Sequence, residues 1–357
     1  MRKALLASLA VVCCGALFGQ DKGKLSILVY ADYFYNVQRD SAIASFPNAA
    51  TGGSKSSNGF QFRRIYFTYD YAIASDIASR FRLEADESAL TSDGKIGMFV
   101  KDAYVQWKNV FGRTNLMFGI QPTPAFEVSE GVWGYRSLQK TILDLRGMVG
   151  SRDFGVSLRG TVGESGSLGY WLMVGNGTGN RPEADKLKRV YGHVRVQATE
   201  MINITLYGDY NTRTDITNPF TSARVGNSTL TTAAFVGITP AGRFRFGLEG
   251  ALQSSASAFN TGTSLDTRDA LGISAFLGVV ASANLEFVAR YDHYDPNMNG
   301  NATGDSRGYF LAGLDWTAGP NVHVIPNLQL ETYESSAAGQ SYDPSVTGRV
   351  TVVWSLP

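Results

Sequence analysis

The feature that most restricts this chain is a rhythm of two. Sixteen segments, near residues 25–37, 59–71, 77–87, 96–108, 114–121, 152–161, 167–176, 188–199, 202–212, 229–239, 242–254, 270–281, 284–295, 307–317, 321–334 and 346–354, alternate apolar with polar side chains. That is the period of an extended strand, not of a helix. Most segments are close to the roughly ten residues a tilted strand needs to cross hydrocarbon. The longest apolar run, Leu271 to Ala283, is broken by Gly272, Ser274, Gly278 and Ser282 and does not read as a membrane helix. An open sheet edge would leave backbone groups unpaired in lipid, so such strands cross a membrane only in a closed barrel. The expected fold is therefore all-β: a transmembrane antiparallel β-barrel of about 16 strands.

The connections support the same architecture. Short links such as Ala72 to Asp76, Glu200–Met201 and Ser282–Ala283 alternate with long ones rich in Gly, Asn, Ser and Thr, among them Arg213 to Asn227, Ser255 to Asp269 and Pro296 to Ser306. Tight periplasmic turns and extended outer loops alternate in this way around an outer-membrane barrel. Parity assigns the faces: Ile202, Ile204, Leu206 and Tyr210 to lipid with Leu285, Phe287 and Ala289, and the residues between them to the lumen. Tyr69, Tyr71, Trp107, Tyr210, Tyr291 and Trp316 stand near strand ends, where interfacial girdles form. Pro326 interrupts the fifteenth strand, and a bulge is expected there because proline removes a ladder bond.

The N-terminus reads as an export signal. Arg2 and Lys3 precede ALLASLAVVCCGALFGQ, an apolar stretch too short to span a bilayer, so residues 1–20 are expected to be cleaved and residues 21–357 to form one barrel domain. Both cysteines, Cys13 and Cys14, fall in the leader, which leaves no thiol for a disulfide or metal site. Without Arg2 and Lys3 the 32 Lys and Arg become 30 against 31 Asp and Glu, a net charge of −1. That balance gives no electrostatic case for nucleic acid.

One connection is far too long to be a mere link. Residues 121–152, QPTPAFEVSEGVWGYRSLQKTILDLRGMVGSR, run to about twice the length that compact domains tolerate without structure. Within a barrel such an insertion can fold inward and narrow the lumen, so it is read as an inward-folded third extracellular loop that forms a pore constriction. Arg136, Lys140 and Asp144 recur at helical spacing, and Leu138, Ile142 and Leu145 occupy a second face of the same turns. One face would pack on the wall while the other meets water.

Parity also nominates the lumen cations. Arg64, Arg80, Arg82, Arg159, Arg195, Arg245 and Arg290 are expected to point inward, joined by Arg136 and Lys140 from the loop. A row of guanidinium groups would pass an anion from one weak site to the next. The same parity puts Glu84, Asp86, Asp102, Asp209, Glu249, Glu286 and Asp292 inside, so these cations are equally placed to pair with neighbouring acids. Enzymatic readings find little support. His193, His293 and His323 form no His-x-Ser pair, Asp292 and His293 face opposite ways, and zinc spacing and phosphate-cradling glycine loops are missing. Asp295 to Gly300 opens like a calcium loop, but Ser306 stands where a bidentate Glu belongs. No cofactor and no metal are assigned.

GFQFRRIYFTYDY (59–71), FVKDAYVQWK (99–108), GIQPTPAFEVSEGVWGYRSLQKTILD (119–144), GSRDFGVSLRG (150–160) and AGLDWTAGPNVHVIPNLQLETY (312–333) resemble the phosphate-selective porin O and P family of bacterial outer membranes. The resemblance implies a sixteen-stranded homotrimeric porin whose third outer loop enters the pore, with small anions diffusing past inward Arg and Lys. It carries over onto the loop, Arg136, Lys140 and the Arg152–Asp153 pair. The acids in the lumen depart from that pattern, as does a chain end of Trp354-Ser-Leu-Pro357 in place of a terminal aromatic. The expected function is passive diffusion of small hydrophilic solutes through an anion-leaning channel in the outer membrane of a Gram-negative-type bacterium. Its partners would be outer-membrane lipid, small anionic solutes, two further copies of itself and the barrel-assembly machinery. Two other readings are a non-conducting barrel that serves as an adhesin or anchor through its loops, and a secreted β-sandwich.

Overall fold

The computed structural model describes residues 23–43, 53–86, 89–240, 242–300, 302, 304–336 and 338–356. The expected leader, residues 1–20, lies outside the described residues. In chain order the strands are β1 (Gly23–Gln38), β2 (Asn58–Ala72), β3 (Ile77–Asp86), β4 (Phe99–Phe111), β5 (Thr114–Pro122), β6 (Arg152–Val162), β7 (Leu168–Gly175), β8 (Arg189–Gln197) and β9 (Ile202–Asn211). After a small ribbon of β10 (Ile216–Thr217) and β11 (Arg224–Val225) come β12 (Thr229–Ile238), β13 (Phe244–Asn260), β14 (Leu265–Ser282), β15 (Leu285–Asp295), β16 (Arg307–Gly319), β17 (Val322–Tyr333) and β18 (Ser345–Leu356). All but the ribbon join in one closed barrel, each strand antiparallel to its sequence neighbour, and β1 pairs with β18 to close it. This is the sixteen-stranded antiparallel barrel that the alternation predicts.

The burial pattern shows why the sheet closes. Along β16, Tyr309, Leu311 and Asp315 are covered while Phe310, Leu314 and Trp316 are bare. Leu206 is 60% exposed and Phe287 43%, so the parity assignment of these two to the outer wall holds. A surface of bare Leu, Val, Phe and Tyr suits hydrocarbon and would be a liability in water. Across the wall of β5, β6 and β7, Gly119 pairs with Gly155 and Gly155 with Gly175. Gly119 takes a φ of +130°, and a side chain there would press on the Ala103 carbonyl and sit 2.7 Å from Tyr104 Cα. Only glycine meets both demands without strain.

Two β-bulges change the face assignment locally. Tyr30 pairs with Arg64 and Ala31 with Phe62, so Arg63 is the extra residue in β2; Arg82 pairs with Asp102 and Leu83 with Val100, which leaves Lys101 as the extra residue in β4. Each bulge turns two consecutive charged side chains inward. Left in strict alternation, one of each pair would face lipid, at a cost of about 2–4 kcal/mol near the midplane.

Two expectations are corrected. Pro326 causes no bulge: Gly313 still pairs with Asn327 and Trp316 with Val324, so the β16–β17 ladder lapses beside the proline without an inserted residue. Its ring faces outward, and pairing with β18 continues through Val350. The stretch from Ser255 to Asp269 is mostly not a loop. β13 and β14 pair on to Asn260–Leu265 after a register shift beyond Ser255, which leaves a tight turn on a projecting ribbon.

The long insertion folds into the barrel. It carries α1 (Glu127–Trp133), ended by Gly134 in the left-handed region at φ 71°, and the single turn α2 (Ile142–Leu145). Turn and extended backbone separate the two, so the helical spacing of Arg136, Lys140 and Asp144 is realised in pieces and not as one helix. Apolar side chains decide where the insertion lies. Val132, Trp133, Tyr135 and Leu138 pack on Phe235, Phe276, Val288, Tyr309, Leu311 and Ile325, lumen-facing side chains that would otherwise meet water. Ala125, Phe126, Leu143, Met148 and Val149 pack on Met173, Tyr191, Tyr207, Ala251 and Ala270. At about 1.5–3 kcal/mol for each fully buried large side chain, these two patches hold the insertion against the β7–β17 side of the lumen.

Candidate functional site: a charged cleft beside the inserted loop

Because the insertion is glued to one side, open space remains on the other. A cavity of about 420 Å³ runs between it and strands β3 to β7, bordered by Arg80, Gln106, Asn115, Thr123, Glu127, Glu130, Arg152, Arg159 and Trp171. The loop side contributes carboxylates and the wall side guanidinium groups. The cleft is therefore polarised across its width.

Most of these cations have acidic partners. Arg80 holds Asp70 through two hydrogen bonds of 2.7 and 2.9 Å. Arg82 and Arg152 share Asp102, Arg82 at 3.4 Å, and Asp102 itself is fully buried. Arg159 pairs with Glu127 across the lumen. Arg64 lies 3.0 Å from Glu84, whose other oxygen takes Lys101 at 2.7 Å. Arg136 spans Glu130 and Asp144, each at 2.9 Å, and Lys140 adds a 3.4 Å contact to Asp144.

Of the nine predicted residues, Arg80 and Arg159 border the cleft, and the other seven are not part of its lining. Arg245 pairs with Glu286 at 2.7 Å under the Tyr135 ring. Arg195 lies on a neighbouring cavity. Arg290 is corrected: its side chain is 1% exposed, chelates Asp292 at 2.8 and 2.6 Å, donates to the Lys140 carbonyl and lies under Trp133. It clamps the loop and does not border the cleft. The Arg152–Asp153 pair splits in the same way. Arg152 faces the cleft, whereas Asp153 is sealed, accepting the Gly177 and Gly179 amides at 2.7 and 3.2 Å and the Tyr191 hydroxyl at 2.7 Å. In the calcium-like stretch, Asp295 and Asn297 accept the amides of Asn297 and Asn299, so these oxygens shape their own turns.

Parity missed two residues of this network, Arg63 and Lys101. Arg63 reaches Asp32 at 2.6 Å and donates to the Leu138 carbonyl at 2.8 Å, which ties β2 to the loop. Arg349 approaches the same Asp32 at 3.1 Å. The signal was present: Arg63-Arg64 and Lys101-Asp102 are adjacent charges inside period-2 strands, which only a bulge can reconcile with a lipid-facing wall. A third residue, Arg146, sits in an ion pair with Glu331 at 2.7 Å with both side chains fully buried, and nothing in the spacing of the loop marks it.

The loop carboxylate Asp144 carries a pH signature. Burial pushes its pKa up, but Arg136, Lys140 and Arg64 outweigh burial and hold it below the usual value. A depressed folded pKa stabilises the loop above the unfolded value of about 3.9, and that stability is lost as pH falls through the folded pKa. A spin label at Gly131→Cys, where a side chain meets nothing within 4 Å, should keep constant mobility from about pH 8 to about pH 5 and loosen below about pH 4. A transition centred near neutral pH would show that another group governs the loop.

With this geometry the fold is defined: it is the sixteen-stranded barrel of the outer-membrane porins, with an insertion packed inside. No family model matches the sequence, and no curated protein matches it either. Solved structures do match. The outer-membrane channel DcaP of Acinetobacter baumannii superposes with a TM-score of 0.68 at 10% identity, over 94% of this chain and 97% of that one. The anion-selective porin of Comamonas acidovorans gives 0.63 at 13% identity, over 94% and 99%. OmpT of Vibrio cholerae, in a trimer form, gives 0.57 at 11%, over 94% and 100%. At these identities the likeness is one of fold.

Proposed function

We propose that this protein is a passive outer-membrane porin with a lean towards anions, in which the insertion between Gln121 and Arg152 is the constriction. The observation that carries the reading is the cleft itself, a water-accessible space with Arg80, Arg152 and Arg159 on its wall and Glu127 and Glu130 on the loop. Small hydrated solutes would cross by diffusion, oriented by the charge difference across the cleft. Ion pairing tempers the lean, since each of these arginines has a carboxylate partner. Phosphate preference belongs to the sequence resemblance alone, so the solute class proposed here is small anions in general. Likeness to an anion-selective porin and to a barrel described in trimer form supports both the sign and a homotrimer. Export by a cleaved leader, a non-enzymatic role and delivery to the barrel-assembly machinery complete the reading.

Purified protein in planar bilayers should insert in discrete ohmic steps, and a salt gradient should give a reversal potential of anionic sign. A cationic sign would overturn the charge reading and leave the channel standing. Properly folded barrels that carry no current would overturn the channel and favour the anchor reading.

A further inference from the structure

Two cavities meet at a crossbar. Arg159 of β6 reaches Glu127 of α1, and this pair, with Trp171 of β7 below it, borders both the cleft and a second cavity of about 330 Å³. The side chains of the pair are 42% and 39% exposed, and ion pairs this open to solvent exchange readily. Trp171 is the opposite case. It is 2% exposed, lies under the Arg159 guanidinium at 4.7 Å, and its indole Nε1 has no hydrogen-bond acceptor among the described residues. Indole N–H groups are donors only, and burying one unpaired is unfavourable. Arg195 of β8 borders the second cavity as well. Its hydrogen bond goes to the Gly166 carbonyl at 3.5 Å, and no ion pair joins it to a carboxylate among the described residues. Val128 and Val132 of α1 supply the apolar part of the lining, and Thr161, Tyr170, His193 and Asn203 add polar side chains.

We propose that the second cavity is a binding subsite for small monocarboxylates bearing a branched apolar group, and that Glu127 is its built-in competitor. An incoming carboxylate displaces Glu127 from Arg159, accepts the Trp171 indole N–H and faces Arg195. The chemistry selects this class. Two guanidinium groups against one carboxylate leave a single positive charge, which suits a monoanion. A planar carboxylate fits the arginine fork and leaves the rest of the ligand free to lie on the valines. Inorganic phosphate carries oxygens on every side, and those turned to Val128 and Val132 would find no donor. This deepens the porin reading and rests on its lumen being open to solutes, but it does not require that current flow.

Saturation-transfer NMR on the folded, detergent-solubilised barrel reads binding without conduction. Isovalerate should bind about tenfold more tightly than acetate or inorganic phosphate, because the added methyl and methylene groups are buried. Trp171→Phe keeps an aromatic face under Arg159 and removes the N–H, and should weaken isovalerate by roughly fivefold or more. Arg195→Gln should weaken it by about tenfold. Glu127→Gln should tighten it roughly two- to fivefold by removing the competitor. Phosphate binding as well as isovalerate, or Trp171→Phe and Arg195→Gln without effect, would overturn the subsite; Glu127→Gln without effect would overturn the competition. Bilayer conductance of the same preparation separates the two readings. A conducting barrel that shows no preference loses only the subsite, and a silent barrel that binds isovalerate loses only the channel.

Discussion

Replacing residues 130–144 with a short flexible linker should raise single-channel conductance severalfold while the barrel still assembles. Trp133, Tyr135, Leu138, Ile142 and Leu143 are all buried in the lumen, so the excised stretch fills space that water would otherwise occupy. The wall does not depend on it. Every strand pair of the barrel is laddered to its neighbour without help from the insertion, and a sixteen-stranded barrel leaves an aqueous interior on its own. The deletion exposes Phe276, Tyr309 and Ile325 to lumen water, which lowers stability without opening the sheet. Recovery of heat-modifiable barrels with larger current steps is the expected result. Unchanged conductance would place the path of the current away from the cleft.

The second large effect concerns the anchor of the loop. Arg146→Met removes one member of a fully buried ion pair and leaves the buried Glu331 carboxylate without its guanidinium partner on the loop, with the Tyr333 hydroxyl at 3.3 Å among its remaining contacts. Breaking such a pair from one side costs about 3–5 kcal/mol. Arg146 also lies over the Tyr294 ring at 5.4 Å, a contact that methionine replaces only in part. Because Arg146 binds loop to wall, the penalty falls on docking of the insertion. Loop opening should rise by roughly two to three and a half orders of magnitude, at about 1.4 kcal/mol per factor of ten. It would be read as fast current flicker and as a mobile spin label at Gly131→Cys. The double variant Arg146→Met with Glu331→Leu should recover much of the loss, since replacing a whole buried pair by apolar groups is often neutral. A quiet single variant would show that the two apolar patches hold the loop unaided.

The strands were legible in the sequence because lipid on one side and water on the other impose the same test at every second residue. Leu206, Phe287 and Trp316 meet that test one by one, whatever their neighbours do. Length and composition also marked the insertion as structured, and its Leu138 and Ile142 are indeed fully buried. Charge pairing was half legible: parity placed Arg64 with Glu84, Arg82 with Asp102, and Arg245 with Glu286 in one lumen, but it left open which pairs form.

What the chain determined by itself is therefore the wall: the number of strands, their order, their inner and outer faces, and one connection too long to stay outside. Only the tertiary structure decided what the lumen does. Whether a cation borders the cleft, as Arg152 does, or clamps a loop, as Arg290 does, depends on which distant side chain lands against it. Such contacts join residues more than a hundred positions apart and leave no local period to read. The bulges at Arg63 and Lys101 stand between the two cases, local in the sequence as doubled charges but resolved only by the register of the neighbouring strand.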